Sequence, residues 1–196
     1  MSESALALLE ILDGYCFRRT LCIDVDDELM GALEIRSDLV FSLNSNESNL
    51  ISGFSNEKFD LIISFSDHKT VLQALSRIEH SRDCEMLIIS DNFFTYNPSS
   101  SRKDLLTRRM RSPLMYQIKQ LFISFSIQKY YPFPDVYKPE MILSYKGLGD
   151  FYFRYWSWRR SKENRLAKIL ESFFVNLCRS PMFSPQIIIK LNNDNT

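Results

Sequence analysis

Four short apolar runs separated by helix-like segments constrain the fold of this chain more than any other sequence feature. The runs cover residues 20–24, 38–43, 59–64 and 86–89. They are nearly continuous in apolar side chains, which is typical of strands buried on both faces of a parallel sheet. Between the last two runs, one helical face carries four apolar residues: Val71, Leu72, Leu75 and Ile78. The alternation predicts a doubly wound, mostly parallel α/β sheet with helices on both faces.

Further elements are predicted before and after these runs. Leucines at positions 6, 8, 9 and 12 indicate an opening helix that ends near Gly14, and three acids at 26–28 mark the start of the next helix. Beyond a Pro/Ser-rich loop at 97–101, we predict a helix over 113–123, a strand over 125–131 and a closing strand over 187–189. Helical spacing is strongest in a later set: Leu166, Ile169, Leu170, Phe173, Phe174 and Leu177.

The length of 196 residues suits one domain over 1–196 with a core of its own. The Pro/Ser-rich loop at 97–101 separates a 1–96 half from a 102–191 half, which is followed by a polar tail at 192–196. The four cysteines form no CxxC pair or Cys/His cluster, so we expect free thiols and no metal site. The chain has neither a long apolar stretch nor a signal-peptide start, and we expect a cytoplasmic protein.

Charge is distributed unevenly along the chain. Residues 1–60 hold twelve acids and four bases, whereas residues 102–168 hold fifteen bases and five acids. The segment 151–160 interleaves aromatic with basic side chains, notably Tyr155, Trp156, Trp158, Arg159 and Arg160. These residue types dominate protein interfaces, and the chain carries no nucleic-acid-binding motif, so a protein partner in a homo- or hetero-oligomer is favoured. Stacking on nucleobases, a membrane interface and an amphipathic core element remain alternatives.

Three stretches resemble class I S-adenosylmethionine-dependent methyltransferases. Residues 22–30, CIDVDDELM, resemble the second strand of that family and the turn after it. Residues 59–64 and 86–92, with the helix between them, resemble its fourth and fifth strands. Residues 130–139, YYPFPDVYKP, resemble a segment of a bacterial subset associated with surface-polysaccharide synthesis. Together these matches span about residues 5–191, and the resemblance implies a Rossmann-like fold with S-adenosylmethionine as cofactor if the protein is active. In that fold the 1–96 half would be the cofactor side and the 102–191 half the substrate or partner side.

The chain departs from that family at the glycine-rich loop. In the family, the first strand ends in a glycine-rich turn whose backbone amides approach the cofactor. If Asp24 ends the second strand, the first strand and its loop should precede residue 5, and they are absent. If residues 20–25 instead form the first strand, residues 24–31 offer one glycine and a run of acids. Both alternatives leave the cofactor cradle incomplete and predict a non-catalytic scaffold or regulatory partner without a cofactor.

The resemblance also implies roles for polar residues at the strand ends. Asp24 would bind the cofactor ribose and Asn44 the adenine, whereas the alternatives are a helix cap, which Asp26 would equally provide, and an Asx turn. Histidine beside a carboxylate makes His68 and Asp67 a candidate general-base pair. In the alternative, Asp67 caps the helix that begins near Lys69.

A second group of candidate residues would form a sugar-binding site. Tyr130, Tyr131 and Asp135 offer aromatic faces and a carboxylate to a glycan, and the alternative is a structural corner. An active enzyme would then be an O-methyltransferase acting on a bacterial polysaccharide or sugar. A nucleic-acid accessory protein is a further alternative, which rests on the basic second half of the chain.

Overall fold

The computed structural model describes residues 3–14, 16–47, 51–54, 56–91, 115–133, 136–137, 139, 141–144 and 186–193. These residues form four α-helices and seven strands. In chain order they are α1 (Glu3–Ile11), β1 (Phe17–Ile23), α2 (Asp27–Glu34), β2 (Ser37–Leu43), β3 (Phe59–Ser64), α3 (Lys69–Leu75), β4 (His80–Asp91), α4 (Met115–Leu121), β5 (Phe125–Phe133), β6 (Met141–Ser144) and β7 (Gln186–Asn193). Two short 3₁₀ turns, Ser45–Glu47 and Ser52–Phe54, follow β2.

All seven described strands belong to one sheet in the order β2-β1-β3-β4-β7-β5-β6. β1 pairs in parallel with β2 and β3, and β3 pairs in parallel with β4. β7 is antiparallel to both of its neighbours, β4 and β5, and β6 is antiparallel to β5. Five strands therefore run in one direction, which confirms the prediction of a mostly parallel α/β sheet.

The strand β1 lies at the point where the chain changes direction across the sheet. From β1 the chain moves outward to β2 and then returns past β1 to β3. In doubly wound sheets this reversal is the topological switch point, and the first strand lies beside it. Because β1 pairs directly with β3, the strand order agrees with the alternative in which residues 20–25 form the first strand.

Helices cover both faces of the sheet, as predicted. On one face, α1 and α2 pack over a cluster that includes Cys22, Leu61, Ile63, Leu87 and Ile188. On the other face, α3 and α4 pack over a cluster that includes Leu21, Ile62, Met86, Ile88 and Leu191. Apolar side chains on both sides of the strands explain why the sequence runs are continuous rather than alternating.

The described cysteines are free thiols in two different environments. Burial raises the pKa of the Cys22 thiol to about 12, and burial with the nearby Asp60 and Glu85 charges raises that of Cys84 to about 12. Cys16 is exposed, and all three are free. The two buried thiols therefore stay protonated and act as small apolar core groups.

A buried ionic network joins the last described strand to the first helix. Lys190 in β7 has a side chain that is 1% exposed, and its Nζ donates to the backbone oxygen of Ile11 at 2.8 Å. The same Nζ lies 2.8 Å from Asp13 Oδ2 and 3.5 Å from Glu85 Oε2. Glu85 also accepts the backbone N–H groups of Asp13 and Gly14 at 3.0–3.1 Å. The network fixes the segment between α1 and β1 against the sheet.

Several predicted boundaries are corrected by the structure. Asn192 and Asn193 belong to β7, so the polar tail does not begin at residue 192. β4 begins at His80, six residues before the predicted start, and β6 was not predicted. The loop predicted at 97–101 and the helix predicted over 166–177 lie outside the described residues.

Candidate functional site

The carboxyl ends of β1, β2 and β3 lie side by side at the switch point. We call this region the switch-point edge and define it by residues 24–26, 44–47 and 65–68, which follow those three strands. Ligands of open α/β sheets bind outside the carboxyl ends of the strands at this position. Four of the predicted site residues, Asp24, Asn44, Asp67 and His68, are brought to this edge.

Asp24 occupies the first position after β1, where a glycine-rich turn would begin. Its backbone φ is 54°, in the left-handed region that favours glycine and is tolerated by aspartate. Its backbone N–H donates to Leu43 O at 3.0 Å, and its Oδ1 accepts the Ser45 backbone N–H at 2.8 Å. The carboxylate thus ties the loop after β1 to the loop after β2.

Asp26 caps the helix that follows. Its Oδ1 accepts the backbone N–H of Leu29 at 2.8 Å, and α2 begins at the next residue, Asp27. The alternative in which Asp24 is the helix cap is therefore wrong, because Asp26 has that position and the bond that defines it.

The loop after β2 is closed by Glu47. The backbone N–H of Asn44 donates to Glu47 Oε2 at 3.2 Å, and the backbone O of Asn44 accepts the Glu47 N–H at 2.8 Å. The bonds that shape this turn therefore come from the Glu47 carboxylate and the backbone. Asn44 itself is exposed at the switch-point edge.

Three backbone donors at or beside this edge are engaged by carboxylates of the chain itself. The N–H groups of Leu29, Asn44 and Ser45 are bonded to Asp26, Glu47 and Asp24, respectively. The segment 24–26 contains no glycine. Close backbone approach is what the glycines of a glycine-rich turn supply to a cofactor, and this segment does not supply it.

The other side of the switch-point edge is lined by buried hydroxyl groups. Ser64 Oγ donates to Ser66 O at 2.7 Å, and Ser90 Oγ donates to Asp67 Oδ2 at 2.8 Å. The Ser66 hydroxyl is buried without a hydrogen-bond partner. A buried hydroxyl in this state carries a desolvation cost that a polar ligand would relieve.

Asp67 and His68 lie at the start of α3, where the sequence analysis offered Asp67 as an alternative helix cap. His68 is the N-cap residue of α3, although its side chain makes no capping bond, and it is exposed. Asp67 lies one position earlier and accepts from Ser90 at the end of β4. The N-cap position of α3 is therefore occupied by His68 rather than by Asp67.

The predicted sugar-site residues are only partly described. Tyr131 is buried within β5, and Tyr130 packs against the α1/α2 side of the core with its hydroxyl on Gln128 Oε1 at 2.8 Å. Both environments are those of the structural alternative. Six further candidates lie outside the described residues: Asp135, Tyr155, Trp156, Trp158, Arg159 and Arg160.

Tyr137 is a site residue that the sequence reasoning missed. It is exposed, and its ring lies 6.5 Å from that of Phe65, which follows β3. This contact brings Tyr137 to the switch-point edge. The position of Tyr137 within that stretch was the available signal, but nothing in the sequence indicated its contact with Phe65.

The described part of the chain holds neither a candidate metal cluster nor a membrane-spanning helix. It contains no cluster of three or more His, Cys, Asp and Glu side chains that could hold a metal ion. Its helices are all too short or too polar to cross a membrane.

Comparison with solved structures identifies the fold. An S-adenosylmethionine-dependent methyltransferase from Thermotoga maritima matches 97% of this chain over 87% of its own, with 11% identity and a TM-score of 0.50. A methyltransferase from Archaeoglobus fulgidus matches 96% of this chain over 92% of its own, with 12% identity and a TM-score of 0.44. The plantazolicin methyltransferase BpumL, solved with S-adenosylhomocysteine, matches 99% over 83%, with 10% identity and a TM-score of 0.49.

No protein-family model and no curated protein matches the sequence. At 11% identity, the Thermotoga likeness establishes the fold alone. The chain therefore has the Rossmann-like fold of class I methyltransferases.

Proposed function

We propose that this protein is a methyltransferase-like binding partner without a functional S-adenosylmethionine site of its own. It would act in the cytoplasm as a scaffold or regulatory partner of an active methyltransferase or glycan-assembly enzyme. The observation that supports this proposal is the engagement of three backbone donors at or beside the switch-point edge by Asp24, Asp26 and Glu47.

The residues present do not fit the cofactor that the fold implies. A ligand that binds the backbone amide of Leu29, Asn44 or Ser45 must displace an internal carboxylate from each amide it uses. It would then leave that carboxylate without its donor, at a cost of about 1–3 kcal/mol for each bond. Side chains at 24, 25 and 26 also occupy the space beside the backbone that glycine would leave open.

Calorimetric titration of the full chain with S-adenosylmethionine and S-adenosylhomocysteine tests the proposal. We expect no binding at micromolar concentrations by the natural sequence. The double variant Asp24→Gly with Asp26→Gly frees the Ser45 and Leu29 amides and restores backbone access, and we expect it to gain measurable affinity. Asp38→Asn, an exposed carboxylate in β2, is the control for the loss of negative charge alone.

Micromolar binding by the natural sequence that is abolished by Asp24→Ala would contradict the proposal, because Asp24 would then be a ligand for the cofactor. Equal gains in the double variant and in Asp38→Asn would show that net charge, rather than amide access, limits binding.

One observation favours a second candidate, an O-methyltransferase that acts on a bacterial polysaccharide or sugar. The unpartnered Ser66 hydroxyl and the Asp67–Ser90 pair lie beside exposed His68, an arrangement of polar groups suited to a hydroxylated ligand. In that case Ser66 would bind a sugar hydroxyl and His68 would accept its proton. A methyl-transfer assay on cell-envelope polysaccharide, with His68→Asn as the variant, distinguishes this candidate from the first.

A further inference from the structure

The outer edge of β2 ends the sheet on the side of the switch point. Within the described residues β2 pairs with β1 alone. A doubly wound sheet of the common order 3-2-1-4-5-6 continues on this side with a third strand. The first half of this sheet has only β2 and β1 there, so alternate backbone N–H and C=O groups of a seven-residue strand face outward.

Apolar side chains flank this edge. Leu39 within β2 is 51% exposed, and Ile35 just before it is 86% exposed. Charged residues and prolines usually protect open sheet edges from pairing with another chain. The strand carries one charged residue, Asp38, and no proline. This edge is therefore suited to pairing with another strand.

We propose that the edge pairs with β2 of a second copy of this chain, in an antiparallel arrangement centred on Val40. In this register Leu39 lies opposite the partner's Phe41, and Asp38 lies opposite the partner's Ser42. Leu39 and Phe41 lie on the α3/α4 side of the sheet, where Phe41 packs against Phe54 and Phe59. Pairing buries Leu39 against a partly exposed aromatic ring twice in each dimer.

Symmetry and charge support a second copy in this register. A two-fold axis perpendicular to the sheet keeps the α1 and α2 layers of both copies on one side. Residues that lie opposite one another across the interface must therefore be on the same face of the sheet. Centring on Val40 overlaps all seven residues of β2 and opposes Asp38 to a neutral serine. A shift of the centre to Asp38 opposes two like charges, which is unfavourable across strands. The inference does not depend on whether the chain binds S-adenosylmethionine.

Light scattering after size-exclusion chromatography, at several concentrations of the full chain, tests this interface. We expect a dimer for the natural sequence. Leu39→Lys should raise the dimer dissociation constant about 100-fold, because the dimer no longer buries the exposed half of the Leu39 side chain at its two equivalent contacts. Ile123→Lys is the matched control, since Ile123 is 85% exposed and lies next to β5 at the far end of the sheet.

A pair of variants at Ser42 tests the register. Ser42→Lys places a cation opposite the partner's Asp38 and should tighten the dimer, whereas Ser42→Asp places like charges in opposition and should weaken it. The two dissociation constants should differ about tenfold. The side chains of Ser42 and Asp38 are both exposed. Circular dichroism checks that each variant is folded.

A monomer at all concentrations overturns the proposal, as does a dimer that tolerates Leu39→Lys. Loss of the dimer through Ile123→Lys places the interface elsewhere and also overturns it. If Leu39→Lys fails to fold, hydrogen exchange of the natural chain decides the question. Protection of the β2 amides that rises with concentration supports the pairing, and protection independent of concentration contradicts it.

Discussion

Replacing Lys190 with methionine removes the cation from the buried network that joins β7 to α1. Methionine has a similar length and apolar stem, so the change deletes the charge with little change in volume. The Ile11 carbonyl loses its 2.8 Å donor, and Glu85 keeps its bonds from Asp13 and Gly14 but loses its nearest buried cation. The α1–β1 segment is then held by fewer contacts against an uncompensated carboxylate.

The loss of stability follows from the burial of the two charges. Removing one partner of a buried ion pair costs about 3–5 kcal/mol. We expect about 3 kcal/mol, because the Glu85 carboxylate keeps its backbone donors and Asp13 is largely exposed to water. For a chain of 196 residues this corresponds to a fall in Tm of about 6–12 °C.

Urea unfolding followed by circular dichroism measures the effect, within a double-mutant cycle with Glu85→Gln. Each single variant should lose about 3 kcal/mol, and the double variant should lose less than their sum by at least about 1.5 kcal/mol. Lys58→Met is the matched control. Its ion pair with Glu79 is 3.7 Å long and largely exposed, so its loss should cost under about 0.5 kcal/mol.

The reasoning is refuted if Lys190→Met is as stable as Lys58→Met, because the buried cation would then contribute nothing beyond an exposed one. It is also refuted if the two single losses are additive, because Lys190 and Glu85 would then be independent.

Two other properties of the described residues give testable predictions. Burial lowers the pKa of His80, whose ring contacts Phe125, so the native state resists protonation and the unfolding free energy should fall as pH falls below about 6.5. His80→Gln should flatten that pH dependence in urea unfolding, whereas a variant of exposed His68 that flattens it equally would contradict the assignment. A thiol reagent at neutral pH should label exposed Cys16 long before buried Cys22, as read by peptide mass spectrometry, and equal rates would show that Cys22 is accessible.

The fold was readable from sequence where burial is purely apolar. The β3 strand was predicted with its observed limits, because its residues face a core on both sides. The N-terminal part of β4 and the C-terminal part of β7 were missed, since Glu85, Lys190 and Asn192 look like surface residues in sequence. Glu85 and Lys190 can be buried because each has a charged partner far away in the sequence. The local pattern of residue types does not indicate such pairs.

For the candidate site, the sequence predicted which residues follow the strands but not their backbone conformations or hydrogen bonds. Asp24 and Asn44 were predicted to follow strands, and they follow β1 and β2. The acids at 26–28 correctly indicated a helix start. The positive φ of Asp24 and its bond to Ser45 depend on how β1 and β2 align, which residue types alone do not specify. The same limit applies to Tyr137, whose contact with Phe65 joins segments that follow different strands.

The placement of β7 between β4 and β5 also has a consequence during synthesis on the ribosome. The residues of β4 and β5 leave the exit tunnel well before residues 186–193, yet one edge of each strand is paired only when that late segment inserts between them. Until it emerges, the nascent chain holds an open edge along β4 and lacks the lysine that anchors its own first helix. Folding of this sheet is therefore completed after translation of β7, and the preceding interval is when a chaperone would be of most use.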